Sequence, residues 1–146
     1  ENILKPKSIR RLKVHTRLDT NVAILKIFPG LNESVLNSVL NIPNLKAIVL
    51  ETYGAGNAPI EKWFLACLRK AIDRGLHIVN VTQCSGGSVI MGRYETSKAL
   101  AKMQVINGND ITTEAAITKL MYMLGSKVSS KLFKTINETS LRGEMK

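Results

Sequence analysis

The sequence is poor in aromatic residues, with three Phe, three Tyr and one Trp in 146 positions. A surface that recognises nucleic acid by stacking bases needs several exposed rings, and this composition argues against one. Two cysteines, Cys67 and Cys84, are too few for a disulfide framework, and neither has a Cys or His partner at the spacing of a zinc site. A reducing, cytoplasmic setting is the simplest expectation. No window reaches the roughly 20 apolar residues of a membrane span, and no signal-peptide pattern opens the chain, so a soluble protein is expected. Acidic residues are also scarce: 11 Asp and Glu stand against 21 Lys and Arg, leaving a formal charge of +10. Internal repeats and low-complexity stretches are absent.

The positive charge is unevenly placed. Lys5, Lys7, Arg10, Arg11, Lys13 and Arg17 put six of the 21 basic residues in the first 17 positions. Residues 1–17 have no sustained period and read as a basic linker or leader, with a stand-alone basic module that binds nucleic acid as the alternative. The chain begins with Glu1 rather than Met, which suggests a piece of a longer protein. Residues 18–146 suffice for one domain with a substantial core, in keeping with an apolar content of 45%.

The most informative stretch is 46–59. In Ala47-Ile48-Val49-Leu50, apolar residues follow one another without polar alternation, as in a strand covered on both faces. The run empties into Glu51-Thr52-Tyr53-Gly54-Ala55-Gly56-Asn57-Ala58-Pro59, where Gly54 and Gly56 permit left-handed backbone and Pro59 presses Ala58 towards an extended conformation. Ligands of open parallel sheets gather beyond the carboxyl ends of the strands, which makes this loop a candidate site. It is no nucleotide cradle by motif. The dinucleotide pattern needs a glycine where Pro59 stands, and the P-loop needs a Gly-Lys-Ser/Thr that the chain lacks.

On either side the pattern alternates between strands and helices. Residues 22–28 read as a strand closed by Pro29-Gly30, and Asn32 as the N-cap of a short helix through Val35, Leu36, Val39 and Leu40. Such a strand, helix, strand unit crosses over right-handed and makes its strands parallel. Residues 60–74 place Phe64, Cys67, Leu68, Ala71 and Ile72 on one helical face, so Cys67 reads as core. A third strand over 77–82 ends in Gln83-Cys84-Ser85-Gly86-Gly87-Ser88, a second glycine-bearing loop at the same sheet edge. A helix over 94–103, a turn over 105–110, a helix from the Thr112 N-cap to Leu124, a last helix over 127–136 and a polar tail over 137–146 complete the reading.

The chain does not assemble a catalytic centre of its own. Ser85, Ser88 and Cys84 are the candidate nucleophiles, but His77 starts the strand that ends before them. At about 3.3 Å per residue it stands roughly 15 to 20 Å from Cys84. His15 lies in the leader, Glu51 is a lone carboxylate beside the first loop, and neither serine sits in Gly-x-Ser-x-Gly. No clustering of Asp, Glu, His and Cys suggests a metal site.

The residues Leu18-Asp19-Thr20-Asn21-Val22-Ala23, Phe28-Pro29-Gly30, Glu51 to Pro59, Val81-Thr82-Gln83-Cys84 and Thr112-Thr113-Glu114-Ala115-Ala116 occur in this order and near this spacing in cytosolic type I L-asparaginases. Thr118-Lys119-Leu120-Met121-Tyr122 and Leu141-Arg142-Gly143-Glu144 resemble them too. What the chain resembles is the C-terminal domain of that family, a small three-layer α/β sandwich with a parallel sheet of about four strands and helices on both faces. The resemblance implies that the threonine nucleophile belongs to a separate N-terminal catalytic domain. It implies hydrolysis of L-asparagine to L-aspartate and ammonia without metal or organic cofactor, in a homodimer or homotetramer. By the same resemblance Asn57, Tyr94, Ser88 and Tyr53 approach the edge of a neighbouring subunit's active site, and Cys84, Glu51 and Thr52 match an allosteric asparagine site of some bacterial members. There Glu51 replaces an arginine, and a carboxylate repels the ligand's own carboxylate. The related amidase subunit of glutamyl-tRNA amidotransferases is the alternative within the same architecture.

Overall fold

The computed structural model describes residues 14–92 and 95–146. Its elements run β1 (Val22–Lys26), α1 (Glu33–Leu40), β2 (Ala47–Thr52), α2 (Lys62–Asp73), β3 (His77–Thr82), α3 (Glu95–Lys102), β4 (Ile106–Asn107), α4 (Thr113–Gly125) and α5 (Ser130–Asn137). The strands form one parallel sheet in the order β1-β2-β3-β4. When parallel strands are added in one direction, right-handed crossovers carry every connecting helix over the same face. Accordingly α1, α2 and α3 pack on one side, and α4 and α5, which follow the last strand, cover the other.

The central strand shows this division residue by residue. Ile48 and Leu50 pack with Leu36, Phe64, Leu68 and Leu100, whereas Ala47 and Val49 pack with Leu120, Met123 and Phe133. An unbroken apolar run is what a strand with helices on both faces requires, and the three-layer sandwich follows from it. The expected N-caps are in place: Asn32 Oδ1 accepts from Val35 N–H at 3.0 Å, and Thr112 Oγ1 from Ala115 N–H at 3.2 Å.

Three sequence expectations need correction. The 105–110 turn contains β4, whose Ile106 pairs with Val79 and Asn107 with Asn80. A strand of two residues has no period to read. Its outer edge is covered by an ion pair on and just beyond α5: Lys134 Nζ donates to Val105 O at 2.9 Å, Asn107 N–H donates to Glu138 Oε1 at 2.9 Å, and the two side chains meet at 2.6 Å. The last helix begins at Ser130 rather than 127, because α4 runs through Gly125 and Lys127 adopts a left-handed φ of 53°. Finally, residues 137–146 are not a loose polar tail, since Asn137 and Met145 are buried. They wrap a buried cation. Lys119 on α4 donates to the carbonyls of Asn137 and Thr139, both at 2.7 Å, and pairs with Glu144 at 2.7 Å.

Of the basic leader, residues 1–13 lie outside the described residues, and Val14 to Arg17 are exposed. The chain then binds along α4, with Asp19 N–H donating to Met121 O at 3.0 Å and the backbone at Arg17 pressed against Gly125.

Removing the Lys119 ammonium leaves two carbonyls and a carboxylate without their shared donor. Lys119→Ala is expected to lower stability by about 3 kcal/mol or more in urea unfolding. Burial would raise the Glu144 carboxyl, but the Leu141 N–H, the Lys119 ammonium and the Arg142 N–H outweigh it and hold the group at about 2, against an ordinary 4.5. A carboxyl depressed in the folded state stabilises fully above its unfolded value. This contribution should therefore be lost as pH falls from about 4.5 towards 2, and Glu144→Gln should flatten the stability profile in that window.

Candidate functional site

The carboxyl ends of the parallel strands share one edge of the sheet, and the loops leaving them are joined to one another. After β2, Tyr53 and Asn57 exchange backbone hydrogen bonds, Tyr53 N–H to Asn57 O at 2.9 Å and Asn57 N–H to Tyr53 O at 2.8 Å. This closes a turn in which Gly54 and Gly56 have φ of 50° and 98°. Gly56 is also required by contact: a Cβ there would lie 2.6 Å from Val89 Cγ1, on the segment that follows β3.

The loop after β3 holds the strand ends. Gln83 Nε2 donates to Ile27 O at 2.7 Å and to Glu51 O at 2.9 Å, drawing together the ends of β1 and β2. Thr82 Oγ1 donates to Gly54 O and accepts from Cys84 N–H at 3.0 Å, so one hydroxyl couples both loops. Ile90 N–H donates to Ala55 O at 2.9 Å. The loop after β4 joins them, with Val89 N–H on Asn109 O at 2.8 Å and Ser88 Oγ on Asn109 Oδ1 at 2.9 Å. Three loops thus form one hydrogen-bonded block.

Of the residues singled out from sequence, this block brings Asn57 and Ser88 together with Tyr53, which is 38% exposed. Tyr94 lies outside the described residues. Cys84 is exposed, as a ligand contact would need, but Thr52 is completely buried. Glu51 is engaged inside the domain: Thr113 Oγ1 donates to its carboxylate at 2.6 Å, and Lys26 stands 3.8 Å away. His77 is remote in kind as well as place. It opens β3 at the opposite end and stacks on Phe133 at 3.8 Å between ring centroids, and burial lowers its pKa. Among the described residues no three His, Cys, Asp or Glu side chains group as a metal site.

Sequence reasoning missed Asn80 and Asn109. Asn80 is fully buried in the middle of β3, and the signal was a lone amide in the otherwise apolar Ile78-Val79-Asn80-Val81. Asn109 adopts a φ of 53°, which its position after Gly108 in a turn could have suggested.

Fold and edge together define a three-layer α/β domain with preformed polar loops at the carboxyl ends of its strands. A family model described as the glutaminase/asparaginase C-terminal domain matches residues 21–136, and the chain belongs to that family. It is 41% identical over 140 residues to L-asparaginase 1 of Escherichia coli K12, a match that covers 96% of this chain and 41% of that protein. It is likewise 41% identical over 135 residues to the human 60 kDa lysophospholipase, covering 92% of this chain and 23% of the relative. The crystal structure of L-asparaginase I from Vibrio cholerae superposes with a TM-score of 0.88 at 39% identity, over 97% of this chain and 42% of that one. The chain therefore spans well under half the length of each of these relatives.

The two thiols should differ sharply. Cys84 is exposed, whereas Cys67 is buried and its pKa is raised by burial and by the nearby Glu33 carboxylate. A thiol reagent such as dithionitrobenzoate is expected to modify one thiol per native chain rapidly, and the second only on unfolding. Loss of the fast thiol in Cys84→Ser checks the assignment.

Proposed function

We propose that this chain is the C-terminal domain of an L-asparagine amidohydrolase, which converts L-asparagine and water to L-aspartate and ammonia. The observation that carries this reading is the likeness to L-asparaginase 1 of Escherichia coli along 96% of the chain, at an edge where the matching loops are locked together. In this reading residues 18–146 form the domain and residues 1–17 lead from an N-terminal catalytic domain that holds the threonine nucleophile. The chain alone is inactive. It completes the rim of an active site and the interface of a cytoplasmic homodimer or homotetramer, with Asn57, Tyr94, Ser88 and Tyr53 facing substrate or partner subunit. No cofactor takes part.

The allosteric role considered for Cys84, Glu51 and Thr52 finds little support. A ligand carboxylate arriving there would meet the Glu51 carboxylate, which already occupies Lys26 and Thr113, and the Thr52 side chain is completely buried. Non-cooperative kinetics fit this arrangement.

The test is to express the longest natural reading frame that contains this segment and to follow ammonia release from L-asparagine. Activity is expected in the longer protein and not in the 146-residue chain. The saturation curve should be hyperbolic. Asn57→Ala should lower kcat/KM about tenfold, the scale of one lost hydrogen bond in a site. A longer protein that leaves L-asparagine untouched defeats the proposal.

A further inference from the structure

We infer that Asn80, together with Thr52, is a positioning residue for the Asn57 loop, an inference that deepens the amidohydrolase reading and rests on it. Asn80 is 0% exposed, two residues before the end of β3, and its amide is used on both sides. Thr52 Oγ1 donates to Asn80 Oδ1 at 2.6 Å, from the last residue of β2. Asn80 Nδ2 donates to Gly56 O at 3.2 Å, on the peptide that leads into Asn57. The Asn80 backbone carbonyl accepts from Gly108 N–H at 2.9 Å. One buried residue therefore touches the strand end and loop of β2, its own strand, and the loop that follows β4.

A packing role alone does not account for this choice of side chain. A fully buried amide on an inner strand costs desolvation that Leu or Val at the same place would not. The cost is offset only if donor and acceptor are both used, and here they are used to fix the loop. The geometry also leaves Gly56 no latitude. Val89 and the Asn80 amide crowd the space a Cβ would take, at 2.6 Å and 3.2 Å. The Gly56 carbonyl is thus aimed at Asn80 by contact and held there by the hydrogen bond. Asn57 follows in a turn whose other end, Tyr53, adjoins Thr52. Both ends of the turn depend on the same pair of buried side chains.

Asn80→Leu keeps the branching of the side chain but removes both the acceptor for Thr52 and the donor to the Gly56 carbonyl. Thr52→Val removes the hydroxyl donor at nearly constant volume and serves if the leucine variant does not fold. Both are made in the longer natural protein. Amide hydrogen exchange of the peptide covering 53–57 is expected to quicken about tenfold in Asn80→Leu, with peptides from α4 unchanged. In ammonia-release assays kcat/KM should fall about tenfold with the same division between kcat and KM as in Asn57→Ala, and Asn57→Ala/Asn80→Leu should be little worse than either single variant.

Unchanged exchange in 53–57 overturns the inference. So does a loosened loop with full kcat/KM, or two losses that simply multiply. If the unmutated protein releases no ammonia from L-asparagine, the amidohydrolase reading fails separately, and the exchange measurement alone decides whether Asn80 holds the loop.

Discussion

Parallel strands laid down in sequence order leave the chain one face of the sheet on which to return, and most of this structure follows from that constraint. With α1, α2 and α3 committed to one face, the other is covered by α4 and α5, which come after β4. Strand β2, buried on both sides, has no stable environment until α4 and α5 arrive. This gives the last part of the chain a weight its composition does not suggest. Lys119 reaches from α4 to the carbonyl of Asn137 at the end of α5, to that of Thr139 just beyond it and to Glu144, so the covering layer closes on a buried cation rather than on apolar contact alone. A charge so placed tolerates no lost partner.

The same topology places every strand end on one edge. Carbonyls at and just past the strand ends need donors where the ladder runs out. Gln83 supplies one to Ile27 and Glu51, and Thr82 one to Gly54 in the loop. Polar side chains at the end of β3 and in the loop after it are thus the means by which the sheet finishes part of its own hydrogen bonding. What remains available, such as the exposed Tyr53 side chain and the Cys84 thiol, is presented by a block tied together by its own hydrogen bonds. Preorganisation of this kind reduces the entropy lost on binding.

Strands β1 to β3 and helices α1, α2 and α4 were legible because each has a mostly apolar run or a 3.6-residue stripe, with recognisable caps at Asn32 for α1 and Thr112 for α4. Strand β4 was not, since two residues carry no period and their place depends on pairing with Val79 and Asn80. The closing segment misled for a different reason. A polar sequence is read as solvated, and only tertiary structure shows that Lys119 lies beneath it. The position of the candidate site was readable from the two glycine loops, but its rigidity was not. Asn80 sits among apolar neighbours as a single exception, and a sequence does not say whether such an amide bonds to a loop, a ligand or a water.

Among the described residues, the imidazole of His77 is removed from the edge and the Glu51 carboxylate is already committed at it. His77 is packed against Phe133 at the far end of β3, and Glu51 is held between Lys26 and Thr113. A domain arranged in this way contributes geometry: hydroxyls, amides and an aromatic ring fixed relative to one another. Fixed geometry matters most where a reacting group comes from elsewhere, because an error of about 1 Å at a substrate's edge can cost about a hundredfold in rate. The buried amide of Asn80 and the glycine at 56 are then the same device seen twice, one pulling the loop inward and the other allowing it to come.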